Sequence, residues 1–419
     1  MYIAPVLGSL AVASLVSAIP LEKRDYIGYG NRGGHMSGSP SNGYYTASAA
    51  ASSWSPPAQT ASYSAPPPAA TGSGSNPFSF PLSNGFPNIQ NPSSQLNDIE
   101  DQAHGTLPNG PPPPSAPAED DLLSLRMIAY NELWEVAFFT ELLYNITNEV
   151  EGYQFQDERL KKTVTDAVTA IQAQEELHLL NANGALAHFN AGPILPCQYV
   201  APVSDFKSAI SLAATFTDVV MGTLGDVQTH FAINGDNGLI RGVAAVIGQE
   251  GEQDGFFRNL GGLIPSQLPF LTASTREIAF NALNQNFIVP GSCPNVNTIN
   301  LPTFGTLSLQ TAGPIAPQDQ SLQFAFEATG AQYGQYANNW QGLSIAFINQ
   351  QNVPVVEPIT GATVSSDGTV SFSANFPFTA NKMFGLTIAT IVKGDPSSFN
   401  SITDVVSATL FGPALIEVL

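Results

Sequence analysis

Residues 164–186 read VTDAVTAIQAQEELHLLNANGAL, and this stretch decides the fold. Its apolar residues fall on one helical stripe: Val164, Val168 and Ile171, then Ala182 and Ala185. In the middle of that stripe, where core residues belong, stand Glu175 and His178. Three residues apart on a helix, they share one face. An unpaired buried carboxylate is costly, so an acid on a core stripe needs a partner or a proton. The stretch therefore predicts a long helix, from about Asp157 to Phe189, that carries a polar site inward.

Working outward gives more helices of the same kind. Upstream, Leu122–Thr147 carries a stripe of Leu125, Ile128, Phe139 and Leu143, interrupted by Glu132 and Glu135. Asp120 and Asp121 open it with charges that suit a helix N-terminus. Downstream, a third helix is expected from about Ser204, its N-cap, to Phe231. A fourth spans about Asn237–Leu260, with Val243, Ile247, Glu250, Asp254 or Gln253, and Phe257 on its stripe. A shorter fifth covers about Ser274–Asn286. Long helices joined by Pro-marked links predict an antiparallel four-helix bundle over residues 119–293. Gly222, Gly225, Gly242, Gly248, Gly251 and Gly255 punctuate it. Each costs about 1 kcal/mol relative to Ala, so they mark either close helix approach or plain tolerance.

After Cys293-Pro294 the period changes. Leu322-Phe324-Phe326, Leu343-Ile345-Phe347, Val370-Phe372, Leu386-Ile388-Ile391, Val405-Val406 and Leu410 read as strands separated by turn residues. They predict a small β-sandwich over 300–419. At the other end, residues 1–18 read as a signal peptide, with Val16-Ser17-Ala18 fitting a cleavage site. Residues 19–24 end in Lys23-Arg24, a dibasic propeptide site. Residues 25–118, rich in Pro, Ser and Gly, lack any period and are expected to be disordered. The expected class is α+β and multidomain, and the expected location is outside the cell.

Charge narrows the partners. The 419 residues hold 13 Lys and Arg against 33 Asp and Glu, a net charge of −20. That excludes nucleic acid, whose phosphates need clustered cations. No apolar run of membrane length follows residue 20, so no membrane span is expected. The two cysteines, Cys197 and Cys293, read as one disulfide in an oxidising compartment. It would contribute at most about 4–5 kcal/mol. Two free buried thiols are the alternative. Asn145-Ile146-Thr147 is a glycosylation sequon at a helix end.

Few cations can neutralise the inward acids, since Arg126, Arg159, Lys161, Lys162, Lys207, Arg241 and Arg258 are all that the four long helices offer. A shared metal pair would satisfy carboxylates from three helices at once. Di-iron carboxylate bundles use a Glu from each of two helices and Glu-x-x-His from each of two others. The segments Asn131-Glu132-Leu133-Trp134-Glu135-Val136-Ala137-Phe138-Phe139, Gln174-Glu175-Glu176-Leu177-His178, Phe216-Thr217-Asp218-Val219 and Gly248–Arg258 resemble, in order, the four helices of the fungal ferritin-like domain family. With the leader, the Pro-rich segment and the β tail, the chain resembles its stress-response and late-sexual-development type. The resemblance covers about residues 120–290.

That resemblance implies a ferritin-like fold, and iron or manganese at Glu132, Glu175, His178 and Glu250. Two positions depart from it: Thr217 stands where the third helix offers Glu, and Gln253 stands where the second His belongs. Amide is a poor iron ligand beside imidazole. The implied function is therefore a secreted, non-enzymatic protein of fungal development, stress response or the cell wall, with a degenerate metal site. A di-metal oxidase or ferroxidase is one alternative. A module binding cell-wall polysaccharide or a partner, with Tyr333, Tyr336 and Trp340 as its platform, is another. Of the other groups, Glu135 is expected behind the ligands or at the rim, and Glu252 and Asp254 toward solvent or the helix side. His188 and His230 are expected as surface or cap residues, and Trp134 and Tyr144 as packing.

Overall fold

The computed structural model describes residues 79–113 and 115–418. They form a mixed helical and β structure with two antiparallel four-stranded sheets. The expected signal peptide, propeptide and residues 25–78 of the expected disordered region lie outside the described residues.

Residues 79–113 and 115–118 are where the expectation of disorder is corrected. Helix α1 (Ser94–Ala103) forms here, with Ser93 accepting a hydrogen bond from the Leu96 N–H at 3.0 Å. Leu96, Ile99 and Ala103 recur at helical spacing and bury against Ala173 and Leu177. Phe86, fully buried, enters the main core. Proline-rich flanks hid this short amphipathic element from a compositional reading.

The long helices are α2 (Glu119–Thr147), α3 (Glu158–His188), α4 (Phe206–Asn234) and α5 (Ile240–Leu260), followed by α6 (Arg276–Asn286). Helix α2 packs on α3 and α4, α4 packs on α5, and α6 packs on α2 and α4. Asp157 caps α3 by accepting from the N–H groups of Arg159 and Leu160. For α4 the cap is Asp205, not Ser204. The Asp205 carboxylate takes the Ser208 N–H at 2.8 Å while the Ser208 hydroxyl accepts from the Asp205 N–H, a reciprocal box that serine one place earlier could not make. The link after α3 is tied to the segment after α6 by the Cys197–Cys293 disulfide. Helix α4 is long and apolar enough to cross a membrane by composition. However, 61% of its most apolar window is buried within the protein, as in a core helix.

The strands are β1 (Leu307–Leu309), β2 (Gln320–Glu327), β3 (Leu343–Asn349), β4 (Val355–Pro358), β5 (Thr360–Val364), β6 (Thr369–Phe376), β7 (Gly385–Lys393) and β8 (Thr409–Val418). One sheet has the order β4-β3-β7-β8, the other β1-β2-β6-β5. Their facing residues, among them Phe324, Phe347, Phe372 and Ile391, share one core. The opposite face of β4-β3-β7-β8 does not meet water. Its Ile348, Leu386, Ile388 and Val392 join Val219, Val220 and Leu283 of the helices in the largest core. That sheet is therefore the middle of three layers, and β3 and β7 are buried on both faces. The outer sheet has a wet face, and β6 accordingly alternates buried and exposed residues. Helices and strands thus share a core across the boundary expected at 293–300. Val405-Val406 is not a strand. It lies in the short helix Ile402–Ala408, which Ser401 starts by accepting from the Asp404 N–H.

Two glycines of α4 test close approach directly. A Cβ on Gly222 would lie 2.3 Å from the Thr272 carbonyl and 2.9 Å from the Ser274 nitrogen, both backbone atoms. A Cβ on Gly225 would meet nothing within 4 Å. Gly222→Ala should destabilise by about 1–3 kcal/mol through overpacking. Gly225→Ala should stabilise by about 1 kcal/mol through helix propensity. Urea unfolding of the pair measures both, and equal signs would refute the assignment.

Candidate metal centre

Helix α2 sends Glu132 and Glu135 inward from successive turns, α3 sends Glu175 and His178, and α5 sends Glu250. Each pair on one helix is spaced i, i+3, which stacks the side chains on one face. The four carboxylates are no more than 2% exposed. The imidazole Nδ1 of His178 lies 2.7 Å from Glu175 Oε2, 3.5 Å from Glu132 Oε2 and 3.9 Å from Glu250 Oε1. The donor atoms form two triads, Glu132–Glu175–His178 and Glu135–Glu175–Glu250, each within 4.8 Å. Glu175 belongs to both.

So the structure brings all four sequence-chosen residues together, and it adds one. Glu135 is not a rim charge. It lies wholly inside, its Oε2 held by the Asn131 amide at 2.8 Å. Its spacing from Glu132, the same as that of His178 from Glu175, was the available signal. Gln253 is also buried, and its Nε2 donates to Glu175 Oε1 at 2.5 Å. Thr217 of α4 lies beside Glu135 in the wall of a small apolar pocket with Trp134, Phe138, Phe139 and Phe216. A second small pocket between α2 and α4 reaches Glu132.

The electrostatics are strained in one direction. Burial raises Glu132 to about 7, with the neighbouring His178 pulling the other way. Burial, then the Glu175 and Glu132 charges, holds Glu135 well above the carboxylate range. Burial, then Glu175 and Glu135, does the same to Glu250. Burial opposes a charged His178, but the Glu175 and Glu132 carboxylates outweigh it and raise its pKa well above the histidine range. One imidazole faces four acids. Neither oxygen of Glu250 has a hydrogen-bond partner, nor has Glu132 Oε2 or Gln253 Oε1. Buried acceptors left this way cost free energy that a cation would recover. The donor set, carboxylates plus one imidazole, suits iron or manganese.

Other expected positions fall elsewhere. Asp254 does not face solvent: it is 3% exposed, in a separate acidic group with Asp218 and Glu417 of β8. Asp218 is buried but turned from the first group, its Oδ2 taking the Gln267 amide at 2.7 Å. Glu252 is exposed, as expected. His230 is more than a surface residue, since its Nδ1 lies 2.7 Å from Asp120 and beside the buried Arg276. Trp134 is packing, stacked on Phe287 at 4.5 Å, whereas Tyr144 is 44% exposed. Asn145 is half-buried near the end of α2. Tyr333 and Tyr336 pack on Phe411, and Trp340 packs against the same core, so the three do not make an open platform. No known protein family and no curated protein matches this chain.

Proposed function

We propose that this chain is a secreted ferritin-like protein whose four long helices form a bundle around a dinuclear iron or manganese site. The observation that carries this reading is Glu250. Its carboxylate is fully buried, neither oxygen accepts a hydrogen bond, and two carboxylates from other helices converge on it. Glu132, Glu175 and His178 would hold one ion, and Glu135, Glu175 and Glu250 the other, with Glu175 shared. A bound ion would supply positive charge where the chain supplies one imidazole.

The role is metal holding in fungal development, stress response or the cell wall, as the family resemblance implies. A metal-dependent oxidase is the second reading, favoured by the small apolar pockets that reach Glu132 and Glu135. Elemental analysis of protein purified from culture medium tests the primary reading. About two equivalents of iron or manganese are expected, and Glu175→Ala should lose both, because its carboxylate serves both triads. Less than about a tenth of an equivalent after reconstitution would refute it.

A further inference from the structure

The two triads are chemically unequal. One offers two carboxylates and an imidazole. The other offers three carboxylates and no imidazole among its ligand atoms. Beside it lie the Gln253 amide, whose Nε2 donates to Glu175 Oε1 and whose Oε1 is buried without a hydrogen bond, and Thr217 next to Glu135. In the pattern this chain resembles, both half-sites carry a histidine. Here the second imidazole is replaced by Gln253, and the carboxylate missing from α4 is replaced by Glu135 from α2. The exchange is coherent, because the loss of the imidazole turns a mixed nitrogen–oxygen half-site into an all-oxygen one and Glu135 restores the carboxylate count.

We propose that the centre is selective by half-site. The His178 side takes a nitrogen-seeking transition metal such as Fe(II) or Co(II), and the Glu135–Glu250 side takes a hard, oxygen-seeking ion, Mn(II) or Mg(II). This rests on the dinuclear reading above and refines it. Imidazole discriminates strongly along the series from Mn(II) to Co(II), whereas carboxylate and amide oxygens discriminate weakly. Asn131 supports the assignment, since its amide holds Glu135 Oε2 at 2.8 Å and so fixes this carboxylate inside the site. Gln253 fits it as well. With an ion bound, its amide oxygen is the better group to present, and, being neutral, it leaves the centre's four carboxylates balanced against two divalent ions.

The test uses the full chain, stripped with chelator and dialysed against Co(II) in excess of two equivalents together with Mn(II) at about ten times the Co(II) concentration. Cobalt and manganese are then measured by mass spectrometry, cobalt geometry by its visible spectrum and manganese by electron paramagnetic resonance. The expected product holds one of each, with a manganese signal altered by neighbouring cobalt. Glu135→Gln should lose the manganese and keep the cobalt, and His178→Ala the reverse. Gln253→His should raise cobalt uptake from one equivalent to two, a gain that misfolding could not produce. Statistical mixing of the metals, or a Gln253→His protein that still takes one cobalt, overturns the selectivity but leaves the dinuclear site standing. Binding of neither metal by the wild-type chain overturns both.

Discussion

Metal-free Glu250→Leu protein is expected to be more stable than metal-free wild type, by about 1–4 kcal/mol, and to gain nothing when metal is added. The reason is the unpaired carboxylate. Glu250 is fully buried, neither oxygen accepts a hydrogen bond, and the Glu175 and Glu135 charges that repel it outweigh His178, 3.9 Å away. Leucine has similar volume, needs no partner and removes one of four crowded acids. Wild-type protein should respond in the opposite way. Saturation at about a thousand times the dissociation constant would stabilise it by about 4 kcal/mol. The two curves should therefore cross as metal is titrated. Urea unfolding with and without metal measures this. A Glu250→Leu protein less stable than wild type in chelator would show that Glu250 is satisfied by the protein alone.

The second large effect is alkaline. Where β8 meets α4 and α5, Asp218, Asp254 and Glu417 are buried around Arg258 and Gln267. Burial raises Asp218 to about 6, Asp254 to about 8 and Glu417 to about 8. The one cation paired with this group among the described residues, Arg258, lies 3.9 Å from Glu417, and its Nε donates to the Ile264 carbonyl. Each folded-state pKa lies above its value in the unfolded chain, so the native protein holds more protons than the unfolded one between about pH 4 and pH 8. The stability these groups contribute is then fully present below about pH 4 and is lost as pH rises through about 8. Glu417→Gln keeps the shape and removes one titration. It should raise stability at pH 9 by a few kcal/mol, on the order of what such a shift implies, and flatten the profile, while changing little at pH 5. An unchanged profile in Glu417→Gln would refute the role given to this group.

How far the sequence carried the fold can be judged residue by residue. Helix α3 was legible because its stripe is long and strongly periodic, and its two polar members stood out against apolar neighbours. The same logic reached Glu132 and Glu250. Glu135 lay on the stripe as well, but the resemblance assigns one carboxylate to that helix, and the pattern overrode the spacing. Asp254 was misplaced for a different reason. What buries it includes Glu417, 163 residues later, on a strand whose docking onto the helices no local period records. Strands β4 and β5 lie at the sheet edges with few buried residues, so they gave little alternation to read. Val405 and Val406 form too short a run to separate strand from helix, and the cap at Ser401 decided it.

The middle sheet has a consequence for how the chain reaches this state. Its helix-facing residues, Leu386 and Ile388 on β7 and Leu415 on β8, complete the same core that α2, α4 and α6 begin. During synthesis the helices are made first, yet their apolar floor stays open until residues beyond 385 have left the ribosome. A nascent or truncated chain stopping near residue 300 would display that floor to any chaperone or neighbouring chain. The apparent tail is the keystone of the helical half, and the helices should be the more aggregation-prone part when expressed without it.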